Sequence, residues 1–100
     1  EGKLKAGPIE IDTAAYRVTG NDAIVHLTPK EFSLLFELVR HAGKVLTHRH
    51  LLQSVWGEAH LDDIEYLRVT MRGLRQKIES ERGRPSLLIN EPGIGYRFGA

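Results

Sequence analysis

Cysteine is absent from this chain of 100 residues, which excludes disulfide bonds, thiolate metal sites and a cysteine nucleophile. The chain also lacks the run of about 18 apolar residues that a membrane-spanning helix needs, and its start lacks the charged-then-apolar order of a signal peptide. We therefore expect a soluble protein that does not enter membranes, and a reducing, cytoplasmic compartment suits it. Because residue 1 is Glu rather than Met, we also expect a piece of a longer protein.

Neither sign of charge dominates the chain, since 14 basic residues stand against 13 acidic ones and the net charge is +1. That total gives no sign of a nucleic-acid partner, but the distribution does. Residues 58–65 contain four acidic residues and no Lys or Arg, whereas residues 66–78 contain four basic residues and no acidic one. Such local segregation can produce a positive surface for a polyanion.

The composition, with 41% hydrophobic and 27% charged residues, is typical of one globular domain, which we assign to residues 1–100. Alternation of apolar and polar residues predicts short antiparallel strands near 9–12, 16–19 and 23–27. Gly20-Asn21 predicts a two-residue hairpin turn between the last two strands. Only residues 1–7 have the character of a linker.

The apolar period then changes to about 3.6 residues, which predicts helices. Thr28 and Glu31 have the spacing of a capping box at the start of the first helix. Gly43 supplies a left-handed stop at its end. A second, shorter helix is predicted between Thr47, as its N-cap, and Gly57.

A third helix is predicted over about 62–80, because its apolar residues step by three and four and fall within roughly 80° of arc. Asp62 and Asp63 suit its positive N-terminal end. Pro92 and Gly93 favour a type II turn inside a closing hairpin at about 87–99. The apolar stripe consists of Ile64, Leu67, Met71, Leu74 and Ile78.

The face of the third helix opposite its apolar stripe is unusual for a solvated surface. Glycine costs about 1 kcal/mol inside a helix, so Gly73 suggests that something approaches closely there. Arg68, Arg75 and Lys77 flank this face, where their long stems could reach two phosphate rows. The pattern fits a helix lying in a DNA major groove. The alternative is a solvated face whose arginines pair with acids three and four residues away. The face carries Glu65, Tyr66, Val69, Arg72, Gly73 and Gln76.

Five sequence blocks follow one another along the chain, at 27–35, 43–47, 51–57, 74–78 and 93–98. In this order they resemble the OmpR/PhoB winged-helix effector domains of bacterial response regulators. Together they span almost the whole chain, which makes the resemblance far more specific than any single motif. Within that family the potassium-responsive regulators are most similar, on the segments 26–29, 66–68 and 93–98. The blocks are LTPKEFSLL at 27–35, GKVLT at 43–47, LLQSVWG at 51–57, LRQKI at 74–78 and GIGYRF at 93–98.

The resemblance implies an α+β fold, a winged helix-turn-helix with a four-stranded N-terminal antiparallel sheet, three helices and a C-terminal β-hairpin wing. It implies sequence-specific binding of double-stranded DNA, with the recognition helix about 62–80 in the major groove and the wing about 87–99 at the minor groove. The expected role is transcription control as the output domain of a two-component response regulator, with potassium-transport genes as the expected target.

The resemblance also implies partners. Two copies are expected to bind direct repeats in a promoter as a dimer. The phosphorylated receiver domain and the sensor kinase are expected outside this chain. The segment 57–61 resembles one that touches RNA polymerase in activators, although here it is short and acidic, so RNA polymerase is a further candidate partner.

The candidate DNA contacts come from the helix face and from the resemblance. Arg72 is the candidate for base readout, because a guanidinium can bond both O6 and N7 of guanine, and Arg68 and Arg75 are candidates for phosphate. Capping threonines open helices whose free amides could hold a phosphate, although capping alone is the alternative. For Trp56 the alternative is a core position. The full set is Thr28, Thr47, His48, Trp56, Glu65, Arg68, Val69, Thr70, Arg72, Gly73, Arg75, Lys77 and Arg97.

Two positions depart from the family pattern. Pro92 stands where many members carry an Arg before the wing glycine, so insertion of that Arg into the minor groove is lost. Arg97 could replace it only if its side chain faces outward. Gly73 stands where some members carry an Arg, which removes a positive charge and changes the expected base preference.

Three other classes of function are weighed against DNA binding. An enzyme is not expected, because no serine lies in a nucleophile elbow and the Gly-x-Gly pattern lies in a hairpin rather than before a helix. No cofactor and no metal are expected, since His48 and His50 point to different faces of a helix and a solvated surface histidine is favoured. The alternative function is a winged-helix protein-protein interaction module that uses Tyr66 and Val69 without binding DNA. RNA binding would call for aromatic platforms on a sheet, which the sequence lacks.

Overall fold

The computed structural model describes residues 2–79 and 87–99, and these form two antiparallel sheets around three α-helices. The predicted α+β winged-helix architecture is thus confirmed. Among the described residues, no helix has the length and apolar character needed to cross a membrane. The elements are β1 Lys3–Ala6, β2 Ile9–Asp12, β3 Arg17–Gly20, β4 Ala23–Val25, α1 Pro29–Arg40, β5 Val45–Thr47, α2 His48–Trp56, a 3-10 turn Glu58–His60, α3 Ile64–Ile78, β6 Leu88–Glu91 and β7 Gly95–Phe98.

The N-terminal sheet has the strand order β1-β2-β3-β4. Residues 3–6 form a strand rather than a linker, because Leu4 pairs with Ile11 and packs against the core. The turn before β4 also differs from the prediction by one position. Gly20 pairs with Ala23, and the two-residue loop is Asn21-Asp22, whose φ angles are +52° and +66°. Asn and Asp tolerate such left-handed angles better than most residues.

The predicted caps of the first two helices are confirmed. Thr28 Oγ1 accepts a hydrogen bond from the Glu31 amide at 3.2 Å, and Glu31 Oε1 accepts one from the Thr28 amide at 2.9 Å. Thr47 Oγ1 accepts from the His50 amide at 3.0 Å. The third cap is different, because the Asp63 side chain makes no capping bond and its Oδ2 instead lies 2.8 Å from Nδ1 of His60. The α3 helix begins at Ile64 rather than at 62, and the predicted end at Ser80 falls outside the described residues.

The C-terminal sheet has the order β5-β7-β6, so the hairpin gains a third strand from residues 45–47, where the sequence pattern predicts no strand. Gly95 of β7 pairs with Thr47, and a Cβ atom added to Gly95 would overlap the Leu46 backbone. Glycine therefore permits the close approach of β5. The predicted turn is confirmed, since Gly93 has φ +74° and the Ile94 amide donates to the Glu91 carbonyl oxygen at 2.9 Å.

One hydrophobic core joins both sheets and all three helices. The predicted stripe of α3 is largely confirmed, because Leu67, Met71 and Leu74 are fully buried, while Ile64 and Ile78 at its ends are half-buried. Burial of this stripe fixes which side of α3 faces outward.

Candidate nucleic-acid interface

The outward side of α3 presents apolar and basic side chains together. Val69 is 65% exposed and Tyr66 is 48% exposed, so both offer apolar area to a partner. Arg72 is also exposed, and it has no ion-pair or hydrogen-bond partner within residues 2–79 and 87–99. Thr70 is half-buried on the same helix. This side thus offers an exposed guanidinium beside apolar contact area.

Arg68 lies nearby but is already paired. Its Nη1 is 3.0 Å from Glu65 Oε1, and both side chains are largely exposed. Exposed pairs of this kind contribute typically about 0.2–1 kcal/mol and are screened by salt. A phosphate can therefore compete with Glu65 for this guanidinium at small cost. The pairing also matches the three-residue spacing that the solvated-face alternative invoked.

Arg75 has a different environment from the free cation that the sequence suggested. Its Nη2 donates to the Leu88 carbonyl oxygen at 2.9 Å, and its guanidinium lies 5.8 Å from the ring centre of Tyr96. Its Nε lies 3.7 Å from Oε2 of Glu79. Arg75 therefore ties α3 to the wing, and its role as a phosphate contact stays a prediction.

Gly73 and Lys77 both contact Glu31 of α1, which corrects the inference that a partner molecule explains Gly73, while the role of the two residues in DNA binding stays a prediction. A Cβ atom at Gly73 would lie 2.5 Å from Oε2 of Glu31, and Lys77 Nζ lies 2.6 Å from Oε1 of the same carboxylate. The close approach at Gly73 is thus made by the protein itself. The physical reason is that α1 packs along this flank of α3, which a pattern calculated for a single helix cannot reveal.

Glu31 is consequently the buried ionic link between α1 and α3. Burial works to raise the pKa of its carboxyl group, but the hydrogen bond and charge of Lys77, together with the Thr28 amide, outweigh burial and lower the pKa below its usual value. Glu31 therefore stays ionised at neutral pH. The sequence identified Glu31 as a capping residue, but no local pattern signalled its contact with Lys77, 46 residues away.

The wing presents Arg97 on the outer face of its sheet, because the flanking Tyr96 and Phe98 are buried on the other face. The condition set by the sequence, that Arg97 faces outward, is met. Its Nε is nevertheless engaged, 3.1 Å from Oε2 of Glu91. At the wing tip Pro92 and Gly93 are exposed.

An aromatic cluster joins the end of α2 to the start of α3. The ring centres of Trp56 and Tyr66 are 6.2 Å apart, and those of His60 and Tyr66 are 5.6 Å apart. Lys30 Nζ lies 5.8 Å from the Trp56 ring centre and donates to the Val55 carbonyl oxygen at 2.9 Å. Trp56 is half-buried, so it has both a packed and an open side. Sequence reasoning missed Lys30, because its partners lie on another helix.

The helix N-termini offer less to a phosphate than the sequence suggested. In α2 the His48 amide donates to the Ile94 carbonyl oxygen and the His50 amide to Thr47, which leaves only the Arg49 amide free among the described residues. The α1 terminus begins with Pro29, which has no N–H. Capping thus uses most of the donors that a phosphate would need. The half-buried His48 ring lies 5.5 Å from that of Tyr96.

Comparison with known proteins places this geometry in a family. Residues 20–98 match the family described as "Transcriptional regulatory protein, C terminal". The chain belongs to that family. Its members include the DNA-binding effector domains of OmpR/PhoB response regulators, which confirms the resemblance seen in the sequence.

Individual relatives support the same assignment. The chain is 47% identical over 95 residues to the KDP operon transcriptional regulatory protein KdpE of Escherichia coli, a match that covers 95% of this chain and 42% of the relative. The chain therefore spans less than half the length of this curated relative.

Solved structures agree with the fold. The response regulator DrrB of Thermotoga maritima, an OmpR/PhoB homologue, superposes with a TM-score of 0.85 at 29% identity, covering 100% of this chain and 45% of DrrB. The DNA-binding domain of RstA from Klebsiella pneumoniae, solved in complex with the RstA box, superposes with a TM-score of 0.84 at 25% identity. The match covers 99% of this chain and 98% of the RstA domain.

Proposed function

We propose that this effector domain binds a specific double-stranded DNA sequence by placing the outward side of α3 in the major groove. The observation that carries the proposal is the environment of Arg72. Its guanidinium is exposed and unpaired among the described residues, on a helix whose opposite side is buried in the core. Arg72 can therefore reach a guanine edge without first losing an internal contact.

Neighbouring side chains have complementary roles in this arrangement. Val69, one turn before Arg72, offers apolar contact to a thymine methyl group. Arg68 exchanges Glu65 for a backbone phosphate, and Lys30 adds a positive group beside the Trp56 and Tyr66 rings. The wing tip at 92–94 lies at the minor groove without an inserted arginine, because Pro92 occupies the position before the wing glycine.

The wider role is supported by the relatives rather than by the geometry of α3. We propose that the chain is the output half of a cytoplasmic regulator whose receiver domain is phosphorylated by a sensor kinase. Two copies bind direct repeats in a promoter. The similarity to KdpE favours potassium-transport genes as the target, and the 3-10 turn Glu58–His60 lies in the segment proposed to touch RNA polymerase.

The decisive experiment compares Arg72→Ala with Arg17→Ala, a matched loss of an exposed arginine on β3 in the N-terminal sheet. A cognate site is first selected from random duplexes. Arg72→Ala is expected to cost about 1–3 kcal/mol on that site and less on random DNA, whereas Arg17→Ala changes neither. Equal losses on both DNAs would reduce Arg72 to a phosphate contact.

The target genes are tested separately by footprinting. Protection of a promoter of potassium-transport genes by the chain is the expected result. Protection of a different promoter alone would reject the potassium role, while the fold and the DNA-binding surface would stand.

The alternative function, a protein-protein interaction module, is favoured by one observation, the exposure of Tyr66 and Val69. DNA binding through phosphates requires affinity to fall steeply with salt, with a logarithmic slope of about −0.9 for each phosphate neutralised. A flat salt response for duplex DNA, together with loss of protein binding in Val69→Ser, would support the alternative.

A further inference from the structure

Three side chains with metal-binding chemistry converge where the end of α1 meets the start of α2. His50 Nε2 lies 2.6 Å from Oε2 of Glu37, and His41 Nε2 lies 3.6 Å from the same oxygen. One ligand atom from each of the three residues lies within 4.8 Å of the others. Glu37 is only 9% exposed, so its carboxylate is held in the protein rather than in bulk water.

We propose that Glu37, His41 and His50 bind a zinc ion. Two imidazole nitrogens and one carboxylate oxygen form a donor set that zinc takes in proteins, with a water molecule as the fourth ligand. At zinc bond lengths of about 2.0–2.1 Å, tetrahedral ligand atoms lie roughly 3.3 Å apart. His41 is already near that distance from the carboxylate, and His50, which is exposed, needs only a small side-chain rotation.

A single hydrogen bond between Glu37 and one histidine does not account for both imidazoles near the carboxylate. The hydrogen bond with Glu37 explains the position of His50. The second imidazole, that of His41, approaches the same oxygen from the end of α1. The two imidazole rings are nearly perpendicular, at 85°. The other polar neighbours of this carboxylate are Arg40 and Ser54. Arg40 faces the other oxygen at 3.7 Å with its side chain half exposed, and Ser54 Oγ lies 3.5 Å from Oε2.

Solvent reaches this cluster at His50, which is exposed, and at Glu37, which lines a surface groove of about 400 Å³. Its lining is formed by Phe32, Ser33, Phe36, Glu37, Arg40 and Ser54. A bound zinc ion would fasten α1 to α2, two helices that otherwise meet here through side chains alone, and would stabilise the folded domain by mass action.

The test is calorimetric titration of the chain with zinc chloride alone, with cobalt(II) absorption as a second readout of tetrahedral coordination. One ion per chain is expected, with binding that weakens on acidification because protons compete for the imidazoles. Glu37→Gln, His41→Gln and His50→Gln are each expected to weaken binding by about tenfold or more. The matched control is His26→Gln, an exposed histidine on another part of the chain, which should bind zinc as the parent does.

Folding of each variant is checked by its NMR spectrum, so that loss of binding is not mistaken for loss of structure. The proposal also requires zinc to raise the melting temperature of the parent and of His26→Gln, but not of His50→Gln. Non-saturable heats in the parent, or equal binding by the parent and the three ligand variants, would overturn the zinc site and leave an ordinary carboxylate-imidazole contact.

Discussion

Arg75 of α3 donates a hydrogen bond to the main-chain oxygen of Leu88 in β6, with 2.9 Å between Nη2 and the oxygen. The bond joins the helix proposed to enter the major groove to the strand that starts the wing. The face of Tyr96 lies near the same guanidinium. Arg75 thereby joins the wing to α3.

Replacement of Arg75 by Ala is expected to lower the free energy of unfolding by about 1–3 kcal/mol, because a buried carbonyl oxygen loses a charged donor. Urea denaturation measures this loss, and faster amide hydrogen exchange in 88–98 locates it in the wing. The control is Arg72→Ala, which removes the same charge from an unpaired side chain and should stay within about 0.5 kcal/mol of the parent. Equal destabilisation by both would show that Arg75 does not hold the wing.

The lowered pKa of Glu31 predicts an acid-dependent loss of stability. Its usual value is 4.5, and its folded value is lower because Lys77 and the Thr28 amide outweigh burial. As the pH falls, this carboxyl group therefore takes up a proton at a higher pH in the unfolded chain than in the folded chain. The stabilisation is complete above about pH 4.5 and is lost as the pH falls through the folded pKa.

Glu31→Gln should therefore lose about 1–3 kcal/mol of stability near neutral pH, and the difference from the parent should shrink on acidification below the usual value. Urea denaturation at a series of pH values measures both effects. Glu65→Gln, at an exposed position on α3, should lose no more than about 1 kcal/mol near neutral pH. If the difference in unfolding free energy between Glu31→Gln and the parent stayed constant down to low pH, the ionic role of this carboxylate would be contradicted.

The effect of Gly73→Ala on the free energy of unfolding is predicted to change sign with the identity of residue 31. Alanine favours a helix by about 1 kcal/mol over glycine, but its Cβ would meet Oε2 of Glu31 at 2.5 Å. In the parent the buried carboxylate would have to shift, which disturbs the contacts of its Oε1 with Lys77 and the Thr28 amide, so the substitution should destabilise. In Glu31→Ala the space is open and the same substitution should stabilise. The double-mutant cycle should give a coupling of about 1 kcal/mol or more, and additive effects would contradict the contact.

Arg68→Ala is predicted to weaken binding to all duplexes alike. The guanidinium is paired only with an exposed carboxylate in the described structure, so its expected DNA contact is a phosphate and carries no sequence information. The logarithmic salt slope should become shallower by about 0.9. Titrations of a selected site and a random duplex over a salt series measure this. A loss confined to the selected site would instead make Arg68 a base contact.

Local signals in the sequence were sufficient where the chemistry is local. The caps at Thr28 and Thr47, the turn at Gly93 and the buried stripe of α3 depend on neighbours within a few residues, and all were confirmed. Local signals were less precise at two positions. The hairpin turn at Asn21 lies one residue later than predicted, and the Asp63 side chain contacts His60 instead of capping α3.

The sequence by itself determined the order of the three helices and the closing hairpin, the family and the exposed strip that contains Arg72, because periodicity and motif order are properties of the chain. Only the tertiary structure decided the partners of Lys77, Gly73 and Arg75. Each of those partners comes from an element distant along the chain, and packing alone determines whether a cation meets solvent, a carboxylate or a backbone oxygen.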